Sequence, residues 1–169
     1  MIDDLELHHR ALAEAFDSSF AAPVVADRPA SADFLVLRLG GKWFAVPVAE
    51  LSAVQKRRTI SALPDAPRHC LGIAGVRGRP AAVYDLAAVL GVPPAPERTH
   101  WLLLSRRDPE LAFAAPEAER YVRAPADAVV PAALPDGPYV AALVDAERSI
   151  PVLSVDQLVD AVAPSKGAS

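Results

Sequence analysis

The sequence predicts a mainly β fold, two small barrels packed side by side with short helices. Three observations carry this reading. Apolar runs are short and punctuated by glycine and proline, the second half of the chain repeats the plan of the first, and both halves close on a strand, a capping residue and a short helix. With 169 residues, 52% of them hydrophobic and 22% charged, the chain has a globular composition. Each half alone is short for an independent core, so the two lobes are expected to share an interface.

The elements follow in order. Ile2, Leu5, Leu12 and Phe16 have helical spacing, and Asp3 with Glu6 three residues on resembles a capping box, so residues 1–32 read as an N-terminal helix and a Pro/Ala/Asp linker. The body spans residues 33–162, in lobes of about 33–91 and 99–162, with a loose tail over 163–169. Residues 34–39 read as a strand, Gly40-Gly41 as a hairpin turn, and 43–46 as the returning strand ended by Pro47. After the extended piece 51–54 and the basic run 56–58, Leu63-Pro64-Asp65-Ala66-Pro67 is a turn. Residues 71–76 and 80–84 are strands joined by a tight turn containing Arg77 and Gly78. Asp85 caps the helix 86–90, and Gly91 closes it.

The second half aligns with the first when Trp101 is set against Phe34. The strand 101–105 then faces 34–38, the turn 107–109 stands where Gly40-Gly41 stood, and 111–114 matches 44–47. With a two-residue shift, 149–153 pairs with 80–84, and Ser154 stands at the Asp85 cap position, with Gln157 completing a capping-box signature. The two closing helices carry apolar residues at their first, fourth and fifth positions: Leu86, Val89, Leu90 and Val155, Leu158, Val159. Such self-similarity means two copies of one supersecondary plan.

Charge and composition exclude several functions. The net charge of −4 supplies no basic footprint for nucleic acid. No run of about 18 apolar residues is available for membrane insertion. The acidic opening Met1-Ile2-Asp3-Asp4 is unlike a signal peptide, and the single Cys70 suits a reducing compartment, so a cytoplasmic protein is expected. The search for catalysis finds no paired carboxylates. His69 and Cys70 are neighbours that a strand would point to opposite faces, and they read as a surface histidine beside a buried thiol. The glycines at 72, 75 and 78 sit in a strand-then-turn context, unlike a phosphate loop. The expectation is a protein that is not an enzyme and has no catalytic residues, metal or cofactor. Arg77, held at a strand tip beside Gly78, has two open roles. It either binds a partner's carboxylate or carbonyls, or bonds its own loop.

The stretch from Gly72 to Gly91 resembles the CheW family of chemotaxis adaptors, whose pattern is G-x-x-N-x-R-G-x-x-x-P-x-x-D-L-x-x-x-L-G. Gly72, Arg77, Gly78, Asp85, Leu86, Leu90 and Gly91 match it, whereas Gly75 replaces the usual Asn and Ala82 the usual Pro. Residues 34–54 resemble the family's opening hairpin, and 63–67 its proline turn. Residues 112–116 depart from its G-L-x-V-D segment, and Ser154 replaces a usual Asp. The resemblance implies two SH3-like five-stranded barrels and a scaffold that links chemoreceptor tips to the regulatory domain of the histidine kinase CheA, in the cytoplasm at receptor arrays. By position it places Leu51, Val54, Gly72 and Arg77 at the receptor groove, with Ala53 where the family often has Glu. Gly78, Asp85, Gly91 and Ser154 are expected as structural turns or caps. The departures also suit a relative that docks a polarity, localisation or motility partner.

Overall fold

The computed structural model describes residues 30–56, 58–93 and 101–163. The expected N-terminal helix over 2–16 lies outside them. Strands β1 (Ser31–Leu39) and β2 (Lys42–Pro47) form the opening hairpin, and a 3-10 turn (Val48–Glu50) leads into β3 (Leu51–Lys56). The short β4 (Ile60–Ser61), β5 (Cys70–Val76) and β6 (Arg79–Asp85) follow, then helix α1 (Leu86–Val89). A second hairpin, β7 (Trp101–Ser105) and β8 (Leu111–Ala115), opens the second half. It continues through β9 (Glu117–Pro125), a 3-10 turn (Ala126–Ala128), β10 (Val129–Asp136), β11 (Tyr139–Asp145) and β12 (Arg148–Leu153) to helix α2 (Val155–Val162).

The strands form two sheets, ordered β10-β11-β12-β2-β1-β9 and β3-β7-β8-β6-β5-β4. Each has six strands rather than the five expected, one of them in the second sheet being the two-residue β4. The repeat is present in the pairing: β1-β2 corresponds to β7-β8, and in each sheet the hairpin's second strand pairs in parallel with the last strand of a meander. The lobes, however, do not follow the division at 33–91 and 99–162. The first sheet joins the first hairpin to β9–β12, and the second joins the second hairpin to β3–β6. The two halves have exchanged hairpins.

Burial explains the exchange. In β1, Phe34 and Val36 enter the core of the first lobe, while Leu37 and Leu39 on the opposite face enter a core between the lobes. The second hairpin does the same: Leu102, Leu104, Ala112 and Ala114 fill the second lobe, while Leu103, Phe113 and Ala115 face the junction. Period-two alternation therefore places apolar side chains on both faces of each hairpin. The helices close the junction: Leu86, Val155, Leu158 and Val159 are buried there, with Val89 and Leu90 against them.

Both ends of α1 and the N-terminus of α2 are capped. Asp85 Oδ1 accepts from the Ala88 N–H at 3.2 Å. At the other end, Gly91 at φ +65° donates to the Ala88 carbonyl at 3.2 Å and Val92 to the Ala87 carbonyl at 2.9 Å, a Schellman arrangement. Ser154 Oγ accepts from the Gln157 N–H at 3.4 Å. Its own N–H donates to the Pro138 carbonyl at 2.8 Å, so the reciprocal half of a capping box does not form.

The sheet that carries the described N-terminus is clamped on its surface. Asp33 and Arg123, opposite each other on β1 and β9, form a two-pronged pair at 2.9 and 3.4 Å. The Arg123 guanidinium, and after it the Tyr121 hydroxyl, hold the Asp33 carboxyl below its ordinary value, and hydrogen bonding to Asp33 pushes the Tyr121 phenol up. A carboxylate with a depressed folded-state pKa contributes stability that is present above the unfolded pKa and is lost as pH falls through the folded one. The Asp33 carboxyl is expected to titrate at lower pH in the wild type than in Arg123→Ala, as read by carboxyl-carbon NMR; equal midpoints would show that the pair is not formed in solution.

Gly72 is a second constraint. At φ +134°, a Cβ there would lie 2.1 Å from the Ser61 carbonyl oxygen, so β4 approaches β5 too closely for any side chain. Gly75, three residues on, would meet nothing within 4 Å. Gly72→Ala is expected to destabilise the protein by about 2 kcal/mol or more in denaturant titration, whereas Gly75→Ala should stay within about 1 kcal/mol.

Candidate partner-binding surface

The second lobe presents its outer face on β3, β5 and the β5–β6 turn. Along β5, Gly72, Ala74 and Val76 are buried, which turns Leu71, Ile73 and Gly75 outward. β3 and β4 end opposite sides of the pairing order but are joined by residues 57–59 alone. The sheet must therefore curl until these edges face each other, and Ala53 and Ile60 accordingly pack on the same cluster. Val54 on β3, Leu63 after β4 and Leu71 on β5 are 38%, 39% and 38% exposed, and they give this lobe its exposed large aliphatic side chains, while Tyr121, Val130 and Val144 are more exposed on the first lobe.

Arg77 and Gly78 form the two-residue loop between Val76 and Arg79, which pair across it. Their φ values are +51° and +78°, the left-handed pair of a tight hairpin turn whose twist matches the flanking strands. Arg77 is exposed, and among the described residues it makes no hydrogen bond or ion pair. Of its two open roles, bonding its own loop is therefore not the one adopted here. The turn presents a guanidinium whose backbone is already fixed.

The four residues expected at one groove do not share one surface. Val54 and Arg77 are exposed, but Leu51 is only 4% exposed and belongs to the junction core. Its carbonyl is held as well, accepting from Arg106 Nε at 3.3 Å and Nη2 at 3.1 Å. Gly72 is buried beneath Ser61 and Ala62. The reason is the exchange of hairpins, which lays β3 along β7 and turns the start of β3 into the space between lobes.

Sequence reasoning also missed residues. Leu71 was legible in principle, as an apolar residue in the outward phase of β5. Glu50 was not: its Oε2 accepts from the N–H groups of Val155 and Asp156 and from Ser154 Oγ, placing a carboxylate at the start of α2 from 105 residues away in sequence. Arg107, in the β7–β8 turn, holds the same helix through the Asp156 carbonyl at 3.1 Å and the Asp160 carboxylate at 2.8 Å.

The other titratable groups near this surface lie within the fold. His69, at φ +65°, offers its carbonyl to the Asp85 N–H at 2.8 Å. Cys70 is half-buried, and its thiol lies 3.7 Å from the Gly72 carbonyl. Burial, and then the nearby Cys70 thiol, push the Tyr84 phenol up. Among the described residues no group of three His, Cys, Asp or Glu side chains could hold a metal ion, and no helix is long and apolar enough to cross a membrane.

Comparison with known proteins decides the family. A family model described as the CheW-like domain matches residues 33–163, both lobes and both closing helices. The chain belongs to the CheW-like domain family. It is similar to a "Probable chemotaxis protein CheW" of Rhizobium etli, at 28% identity over 75 residues, which is 44% of this chain and 48% of that protein. The chain thus spans about half the length of that curated relative in the match. Its fold resembles that of the scaffolding protein TtCheW of Thermoanaerobacter tengcongensis, with a TM-score of 0.64 at 14% identity, covering 75% of this chain and 89% of the other. At that identity the likeness is one of fold, a mainly β body of two sheets.

Leu51→Asp is expected to unfold the CheW-like body, with a loss of about 4 kcal/mol or more, because it puts a carboxylate into an apolar core. Val54→Asp, on the exposed face of the same strand, should change stability by about 1 kcal/mol or less in the same denaturant titration. Equal losses would place Leu51 outside the core.

Proposed function

We propose that this protein is a non-catalytic adaptor that couples the cytoplasmic tips of chemoreceptors to the regulatory domain of the histidine kinase CheA, within cytoplasmic signalling arrays. The observation that carries the reading is the family match across the whole two-lobed body, since an adaptor needs both lobes to engage two partners at once. The second lobe supplies suitable contact chemistry. Val54, Leu63 and Leu71 offer apolar area, and Arg77 offers a charge-assisted donor held on a rigid turn. Because the guanidinium has no partner among the described residues, binding it requires no internal ion pair to break, and the two-residue turn reduces the ordering cost. This arrangement fits docking of an extended or helical segment on a half-apolar face.

A second reading, docking of a polarity, localisation or motility factor, is favoured by the departures from the family pattern. Gly75 and Ala82 change the β5–β6 hairpin, and Ala53, where the family often carries Glu, packs toward the core of the second lobe.

The test is titration of the purified chain with the kinase regulatory domain and with a receptor tip. Both are expected to bind. Arg77→Ala should weaken binding to one of them by about tenfold or more, the usual reach of an interfacial arginine. Its melting should be unchanged, because alanine has the same Cβ at the same positive φ. Binding to neither partner would remove the coupling role and favour the second reading. Wild-type affinity for both in Arg77→Ala would move the contact off this turn.

A further inference from the structure

The first lobe contains a groove that the adaptor reading does not use. It opens where β2 and β12 begin. Their parallel pairing is matched at one position, Val152 with Ala45, and toward the start of both strands the ladder goes no further. The gap, of about 850 Å³, is walled by Lys42, Trp43 and Phe44 on one side, Arg148 and Tyr139 on another, and Val92 beyond α1. The hairpin turn and the chain after α1 fit closely: a Cβ on Gly40 would lie 2.5 Å from Val92 Cγ1 and 2.8 Å from the Pro93 carbonyl oxygen.

The groove is apolar at its base and cationic at its rim. The guanidinium carbons of Arg38 and Arg148 each stand 5.8 Å from the centre of the Trp43 ring. Arg38 has Glu119 at 3.9 Å, but Arg148 and Lys42 have no carboxylate within ion-pair distance among the described residues. The site therefore asks for a ligand with acidic and apolar groups together.

The chain carries such a segment. Residues 1–29 hold Asp3, Asp4, Glu6, Glu14, Asp17 and Asp27 against Arg10 and Arg28, which accounts for the whole net charge of −4 and leaves the rest of the chain balanced. Ile2, Leu5, Leu12 and Phe16 supply apolar groups among those acids. Reach is sufficient. The groove lies about one strand length, roughly 30 Å, from the start of β1, and residues 17–30 can span about 46 Å when extended.

We propose that the acidic segment 2–16 binds the Trp43–Arg148 groove of its own molecule, its carboxylates at Lys42 and Arg148 and its apolar side chains over Trp43. The inference stands on charge, groove and reach, and is independent of the coupling reading.

The experiment is amide and indole NMR of the full 15N-labelled chain, with the two tryptophan signals assigned by Trp101→Phe. Two variants alter only the segment: Leu5→Ser with Leu12→Ser and Phe16→Ser, and Asp3→Asn with Asp4→Asn and Glu6→Gln. Each is expected to shift the Trp43 indole and the Gly41, Val92 and Ser149 amides, with the Trp101 indole unmoved and the shifts independent of protein concentration. Arg148→Glu should give the same displacement, and combining it with Asp3→Lys, Asp4→Lys and Glu6→Lys should reverse it. Unmoved groove signals in both segment variants would overturn the proposal, as would shifts confined to another surface. Shifts that grow with protein concentration would also overturn it, by assigning the groove to a second copy's segment.

Discussion

Two hairpins with apolar side chains on both faces govern this fold. A strand buried on both faces cannot lie at the surface of a single sheet, because one of its faces would meet water. Leu37 and Leu39 on one hairpin, and Leu103 and Phe113 on the other, therefore bring the lobes together, while Val36, Leu102 and Leu104 keep each hairpin inside a lobe core. Burying a side chain such as Phe113 or Leu37 contributes about 2–3 kcal/mol. Such a shared core suits halves that are each short of independent stability. The polar contacts at the seam are consistent with this arrangement. Arg106 holds the Leu51 carbonyl, and Glu50 and Arg107 hold α2, so the point where the chain passes between lobes is fixed by donors and acceptors from both halves.

Much of this was legible in the residues, and the limit of legibility has a physical cause. Features set by neighbours a few residues apart could be read directly: the Gly40-Gly41 turn, the Arg77-Gly78 turn, Asp85 ahead of α1 and Gly91 behind it. The internal repeat was also readable, since it depends on the order of elements. Which copy of the hairpin joins which meander was not, because β1 pairing with β9 or β3 with β7 leaves no local mark. The misplacement of Leu51 follows from this. As one apolar residue at the start of a strand it reads equally as groove wall or core, and only the exchange of hairpins sends it inward. Glu50 at the start of α2 was invisible for the same reason. The exposed Val54, Leu63 and Leu71 needed the strand phase, which the sequence contains but which the apolar run through Val76 obscures.

The two lobes are similar in plan and different in surface. The second offers Val54, Leu63 and Leu71 and a guanidinium on a stiff turn. The first offers a cleft with two guanidiniums about an indole and the Asp33–Arg123 clamp along its β1–β9 pairing. In this duplicated architecture the shared framework fixes the relative placement of two unlike faces. In this chain the glycines that allow close packing, Gly40 and Gly72, lie one in each lobe, and each lets a loop or short strand approach a distance that no side chain would permit.

The exchange of hairpins also bears on how the protein is made. During synthesis the first hairpin leaves the ribosome well before β9–β12, the strands that complete its sheet, while β3–β6 wait for β7-β8. The second lobe can close on the contiguous stretch 51–115, but the first cannot, so both faces of Phe34–Val46 stay uncovered until most of the polypeptide has emerged. Closure of the first lobe is thus a late and long-range event, of the kind that folds slowly and exposes apolar surface to other chains in the meantime. A break in the chain between α1 and β7 would leave two pieces, each holding an incomplete version of both sheets and each complementary to the other.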